Sequence, residues 1–313
     1  MSKEKHTYQP LVILYNDETD YETKINELTS EDFLIGTPKP AVVVLDKTTG
    51  EVVAYKNINK IISKYDLTTN KKYIDLGLSS GNLWSTCNLG ASEPYEFGNY
   101  YQWGAVNGYP GYSDDSDSDS DGDGISSHSS WSSSPFNKGN EKFTKSSHYY
   151  YKKNCYPNGF LHTDYDAVYQ DTGGAAHMPT ANDVTELIDE TTNCWCLLRF
   201  PKWEYVKEKE KYELKAKYVL GRYIEGNNQK MFIPAAGYYR AGTYISGRCL
   251  LWSNESYLSD LDIKYYYGDK IPQKNIPVDS KAHCLSFKHD NFYMDNFYKY
   301  YAMPIRGIKT KQP

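Results

Sequence analysis

Asp117, Asp119, Asp121 and Asp123 stand at every second position and are followed by Gly124. Asp119-x-Asp121-x-Asp123-Gly124 matches the first half of an EF-hand-type loop, where alternate oxygens and a turning glycine surround calcium. The place of the closing bidentate Glu falls on Ser130, so calcium is the one cofactor in prospect and only as a weak site. The competing reading is a solvated Ser-Asp tract that holds no metal. Among nucleophiles, Cys249 and Cys284 lie in the C-terminal half, and His283 sits beside Cys284 as a base would. Neighbours on a strand point to opposite faces, however, so a buried thiol next to a solvent-facing imidazole competes with that assignment. Cys194-Trp-Cys196 puts two thiols on one strand face, two ligands short of a tetrahedral zinc site. The 40 Asp and Glu residues single out no carboxylate pair for glycoside hydrolysis. No catalytic residue is assigned, and the expected protein is not an enzyme.

Binding chemistry is better represented. Tyr238-Tyr-Arg-Ala-Gly-Thr-Tyr244 and Asp290-Asn-Phe-Tyr-Met-Asp-Asn-Phe-Tyr-Lys-Tyr-Tyr301 crowd Tyr, Asn, Asp and Arg together. Tyrosine rings stack on sugar faces while amides, carboxylates and guanidinium groups bond hydroxyls. The candidate ligand-binding residues are Tyr238, Tyr239, Arg240, Tyr244, Trp252, Asn254, Asn291, Tyr293, Asn296, Tyr298 and Tyr300. Tyrosine is also the compositional outlier, 32 residues against 10 Phe and 6 Trp. The plainer account is that Tyr suits half-buried strands and that alternate residues face core and solvent in turn.

The elements that must position these residues follow from periodicity. Residues 1–70 read as a small α/β attachment module. Within it, Leu11–Tyr15 is an apolar strand, Asp20–Leu28 has helical spacing, and residues 41–45 and 52–55 flank a Gly-closed hairpin loop. Asn57 is placed to cap a helix carrying Ile58, Ile61, Ile62 and Tyr65. A polar linker at 67–72 then leads into residues 71–313, where short strands, glycines and aromatics dominate. An acidic Ser/Asp insert at about 110–148 lacks the apolar residues a core requires. Thr180-Ala-Asn-Asp183 is a clear helix start, because Thr180 accepts a backbone N–H and Asp183 suits the positive end of the helix dipole. Beyond residue 193 the pattern is strands and turns, with a hairpin closed at Glu225-Gly-Asn-Asn228 and a sign-alternating solvated stretch at Lys207–Lys211.

A net charge of -5 and a pI of about 5.8 argue against an electrostatic hold on nucleic acid. No stretch is apolar enough to span a bilayer, and Met1–Asp17 has no run suited to a signal peptide, so neither nucleic acid nor membrane insertion is expected. The six cysteines are accordingly expected to be reduced and mostly buried.

Six short blocks carry a family resemblance. Tyr73-Ile-Asp-Leu-Gly-Leu-Ser-Ser-Gly-Asn-Leu-Trp-Ser-Thr-Cys-Asn-Leu-Gly-Ala91 resembles the opening of the Fibrobacter major paralogous domain, and Tyr100-Tyr-Gln-Trp-Gly104 its next block. His177-Met-Pro-Thr180 resembles a third block, which the family usually writes with Arg before Met-Pro-Thr. Phe232-Ile-Pro-Ala-Ala-Gly-Tyr238, Leu251-Trp-Ser253 and Met303-Pro-Ile-Arg-Gly307 resemble the blocks that close the domain. The resemblance implies an α+β fold of the C-type lectin kind, with long loops, its two ends close together and a ligand face formed just before the last strand. The same fold serves formylglycine-generating enzymes, which rely on a cysteine pair.

Relatives of this kind are mostly exported bacterial surface proteins. A binding domain without a recognisable export signal, carrying an extra N-terminal module, fits a phage virion component such as a head or tail fibre. Its expected partners are other virion proteins through residues 1–70 and a host-surface or mucosal glycan or protein. A homo-oligomer is compatible with the sequence, although no heptad run argues for a trimer. The alternatives are a bacterial cell-surface adhesin and, last, a formylglycine-generating-type oxidase.

Overall fold

The computed structural model describes residues 11–15, 42–46, 52–110, 159–206, 210–240, 243–245, 248–257, 281–288 and 291–311. The aspartates Asp117, Asp119, Asp121 and Asp123, the helical spacing at 20–28, Cys155 and most of the Lys207–Lys211 stretch lie outside the described residues.

Strand β1 (Leu11–Tyr15) runs parallel to β2 (Val42–Asp46), which pairs antiparallel with β3 (Val52–Lys56), so the expected hairpin is present. The helix expected after Asn57 is not. Asn57 takes a left-handed φ of 61°, and Lys60–Ser63 is a strand, β4. It pairs in parallel with β9 (Thr192–Val206), placing Ile61 opposite Leu197 and Ile62 opposite Leu198. Ile62 is buried on one face of that sheet and Ile61 packs against the core on the other. Burial on both faces makes a strand look like a helix over four residues, and the β-branched pair settles the matter for the strand. Helical capping occurs one step later, where Ser63 and Asp66 close a 3₁₀ turn at Lys64–Asp66. Asn59 and Trp195 exchange hydrogen bonds of 2.9 and 3.0 Å, so the stretch from Ile58 to Leu67 belongs to the main body.

Downstream come β5 (Tyr73–Asp75), β6 (Leu83–Ser85), β7 (Asn99–Gln102) and β8 (Tyr109–Pro110), then α1 (Ala167–Asp171) and α2 (Ala181–Asp189). The rest is strand: β10 (Lys211–Gly226), β11 (Gln229–Pro234), β12 (Tyr238–Arg240), β13 (Thr243–Ile245), β14 (Cys249–Tyr257), β15 (Lys281–Lys288), β16 (Asn291–Tyr298), β17 (Ala302–Met303) and β18 (Ile308–Lys309). The fold is mostly β-sheet with few helices, which agrees with the α+β expectation at that level.

Local chemistry explains the element ends. Asp183 N donates to the Thr180 hydroxyl and Thr180 N to the Asp183 carboxylate, the capping box expected for α2. At the end of β10, Asn227 and Asn228 both hold positive φ between the paired Gly226 and Gln229, as a type I′ hairpin turn requires.

Two cores lie on opposite faces of the β14-β15-β16 sheet. One joins Leu251, Leu285 and Phe287 to α2 and to Trp195, Leu197 and Ile233 of the β11-β10-β9-β4 sheet. The other joins Trp252, Cys284 and Ala282 to Trp103, Met303 and Val168. The last strand joins β6 and β5 in a small sheet of order β18-β6-β5, with Ile308 opposite Trp84.

The six sequence blocks form this scaffold by bonding to one another. Leu89 N donates to Ile305 O at 2.8 Å, and Arg306, fully buried, donates to Asn88 Oδ1 and to Phe232 O, both at 3.0 Å. His177 and Ile308 exchange backbone bonds of 3.0 and 2.9 Å. Trp103 Nε1 donates to Ser253 O at 2.8 Å while Trp252 Nε1 donates to Tyr101 O at 2.9 Å. Gly237, in the fourth block, has a φ of +66°, and a Cβ there would lie 2.4 Å from Ile245 O. Gly237→Ala is therefore expected to cost more than the ~1 kcal/mol of an ordinary Gly/Ala difference, read as a lowered urea midpoint; an unchanged midpoint would refute the close approach.

Candidate functional site

The residues expected to touch ligand divide into two groups. Tyr238, Tyr239 and Trp252 are 7%, 4% and 0% exposed, so their expected binding role is corrected to a core role. Tyr238 packs with Trp252 in one core, and Tyr239 turns the other way onto Tyr100, Ala236 and Ala302. Alternation along β12 cannot expose either residue because both faces of the strand are covered. Tyr244 is half-buried, donates to Ala236 O at 2.9 Å and packs on Tyr239, which makes it a support. Asn254 is also half-buried, fixed through its backbone to Pro179 O and Leu161 N, both at 2.8 Å.

The second group reaches the surface. Arg240 is exposed, with its guanidinium carbon 5.9 Å from the centroid of the Tyr301 ring. Tyr300 meets Tyr301 edge-on at 4.8 Å, and Tyr298, 41% exposed, lies 5.6 Å from Tyr300. Lys281 Nζ stands 5.5 Å over Tyr298. The result is a connected aromatic-cationic rim of Arg240, Tyr300, Tyr298 and Lys281, joined through the buried ring of Tyr301. The tyrosine rings are stiff and already packed, so little side-chain entropy is lost when a partner stacks on them. Asn296 sits half-exposed midway along β16, opposite His283 in register, while Asn291 and Tyr293 are exposed at the far end of that strand.

Between the two ends of β16 lies Arg248, which sequence reasoning passed over. Its guanidinium lies over the rings of Phe297 (4.9 Å) and Tyr238 (5.8 Å) and meets Ser286 Oγ at 3.0 Å and Asp295 Oδ2 at 3.6 Å. Arg248 carried no periodic signal in the sequence, and only the register of β14 against β15 and of β15 against β16 brings it to Asp295.

The thiols offer no nucleophile-base pair. Cys249 and Cys284 are both fully buried, and they face opposite cores. Burial pushes the Cys249 thiol up to about 12 and Cys284 well above its usual range, so neither ionises near neutrality. His283 is half-exposed beside Cys284, with its ring edge-on to Tyr257 at 5.0 Å. Cys196 is buried, and among the described residues no group of three or more His, Cys, Asp or Glu side chains could hold a metal.

Two surface features carried no sequence signal. One is a cleft of about 770 Å³ between residues 64–73 and the loop 85–94, floored by Cys87, Asn88 and Gly307. Its lining comes from four separate segments that only the β18-β6-β5 sheet and α1 bring together. The other is the outer half of the β9-β10 ribbon, where Trp203 opposes Leu214 and Tyr205 opposes Tyr212, each more than half exposed.

These features define a mostly β protein whose scaffold residues are internal and whose aromatic-cationic groups stand at its rim. Comparison of the chain with protein-family models, with curated proteins and with solved structures gives no match. Among the described residues no helix is long and apolar enough to cross a membrane.

Proposed function

We propose that this chain is a non-enzymatic binding and display protein on a C-type-lectin-like scaffold of the Fibrobacter major paralogous kind, part of a phage virion such as a head or tail fibre. Its rim from Arg240 to Tyr298 meets a host-surface or mucosal glycan, with protein as the other ligand class. The observation that carries this reading is the division of labour. The residues of the six blocks are largely buried and bond one another, whereas Arg240, just after the fourth block, and Tyr298 and Tyr300, just before the last, reach solvent. The meeting of β5, β6 and β18 supports a domain whose ends lie together. Burial of Cys249 and Cys284 on opposite sheet faces counts against the oxidase alternative. A bacterial surface adhesin would use the same rim, and mass spectra of intact virions separate the two, since absence of the chain there removes the phage reading.

The ligand reading is tested on a glycan array with the intact chain and an Arg240→Ala/Tyr298→Ala/Tyr300→Ala variant. Hot-spot side chains each contribute about 2 kcal/mol or more, so the variant is expected to lose at least about tenfold in affinity for any bound glycan. Tyr300 also packs against the core, so an Arg240→Ala/Tyr298→Ala variant, changed only at exposed positions, is measured beside it and should keep a melting temperature close to that of the parent. Undiminished glycan binding by the variant would sink the rim assignment, and silence on the array with capture of a host protein would move the ligand to the protein class.

A further inference from the structure

We propose that the cleft over Cys87 is a second binding site, specific for a small polar ligand bearing a carboxylate or sulfate group. Its volume of about 770 Å³ lies within the size range of small-molecule sites.

Charge sets the ligand class. Lys64, Lys71 and Lys72 line the mouth against the carboxylates Glu93 and Asp171. Lys64 Nζ is 3.5 Å from Glu93 Oε1, so that pair neutralises itself. Asp171 is turned to Tyr73, whose phenol is pushed up by burial and then by that carboxylate. The lining thus holds three lysines against two carboxylates, with Lys71 also acting on Asp75, a small positive surplus on a chain whose net charge is -5.

A second observation lies behind the floor. Arg306 is 0% exposed and is held by neutral acceptors, its Nε by Asn88 Oδ1 and one terminal nitrogen by Phe232 O. Its other terminal nitrogen is buried without a hydrogen-bond partner. Among the described residues the ionisable groups that act on it are the thiols of Cys87 and Cys249, both of which burial pushes up. Asn88, which accepts from Arg306, Cys87, on which its charge acts, and the adjoining Gly307 all line the cleft. A buried charge without a counterion is costly, and its field passes through a poorly screening interior. At Cys87 the Arg306 field outranks the opposing ones of Glu93 and Glu96, so an anion resting there is drawn by Arg306 and by the lysines of the mouth, while a neutral sugar of equal size is drawn by neither.

Cys87 reports the site, because its thiol is only partly buried and lines the cleft. The experiment measures iodoacetamide alkylation of Cys87, resolved at the peptide level, on the full chain with millimolar glucuronate, inorganic sulfate or glucose. Glucuronate is expected to slow alkylation several-fold and glucose to leave it unchanged, with the protection weakening as salt rises. Protection by glucuronate alone assigns a sugar acid, and protection by sulfate as well assigns the oxyanion itself. A Lys71→Gln/Lys72→Gln variant, changed only at exposed positions, should lose the protection while keeping its melting temperature. Equal protection by glucose, no protection by any probe, or protection unaffected by the lysine changes would overturn the site. The Arg240, Tyr298 and Tyr300 variants should leave Cys87 protection intact, so the fate of this cleft and that of the rim are read separately.

Discussion

Replacing Trp252 with alanine is expected to remove most of the stability of the fold. Trp252 is fully buried between Leu250, Cys284 and Ala282 of one core and the β7 segment. Its indole donates to Tyr101 O at 2.9 Å, while Trp103, two residues further on, returns a bond to Ser253 O at 2.8 Å. The two indoles therefore stitch β7 to β14 reciprocally. Truncation of a buried Trp costs about 3–5 kcal/mol in packing. Leaving the Tyr101 carbonyl buried without a donor adds about 1–3 kcal/mol. Against a total of about 5–15 kcal/mol for a typical domain, that is a dominant loss. Trp252→Phe keeps most of the ring volume and should lose a smaller share. Trp203→Ala, at a site 64% exposed, should shift the urea midpoint by less than ~0.5 kcal/mol equivalent. A Trp252→Ala midpoint no lower than that of Trp203→Ala would refute the cross-brace.

The same residues show where sequence reasoning works and where it stops. The capping box at Thr180 and the Asn-Asn hairpin turn are local signals, set by residues within a few positions of one another, and both are present as read. The Ile61-Ile62 stretch is local too, yet its helix was wrong because its strand partner, β9, lies more than a hundred residues away. The candidate site failed in a patterned manner. Period-two alternation assumes that one sheet face is wet, and β12 and β14 have none, so Tyr238, Tyr239 and Trp252 went to the core while Arg240, Tyr298 and Tyr300 did not. Arg248 and Lys281 join that neighbourhood only through register, which no single segment encodes.

Burial of so many weak acids makes the fold sensitive to alkali. Burial is the leading cause that raises Cys249, to about 12, and that lifts Cys196, Cys284, Tyr100 and Tyr301 as well. For each, the folded chain holds its proton more tightly than the unfolded chain, so the stability it contributes is complete below the unfolded value. That value is 9.0 for the thiols and 10.0 for the phenols, and the contribution is lost as pH rises from there through the folded value. For Cys249 alone, the span from 9.0 to about 12 corresponds to a loss on the order of 4 kcal/mol. Arg306 works in the opposite sense, since burial lowers it to about 10 and its loss of charge relieves the fold as pH rises beyond that toward the ordinary guanidinium range. One relieved base does not offset several buried acids. Thermal melts under reducing conditions should thus be flat near neutrality and fall steeply above pH 9, the onset set by the thiols. Cys249→Ala should flatten that fall even if it lowers the neutral-pH melting temperature through the cavity it leaves. A melting temperature that holds steady from neutrality to about pH 11 would mean that these thiols and phenols already meet water in the folded chain.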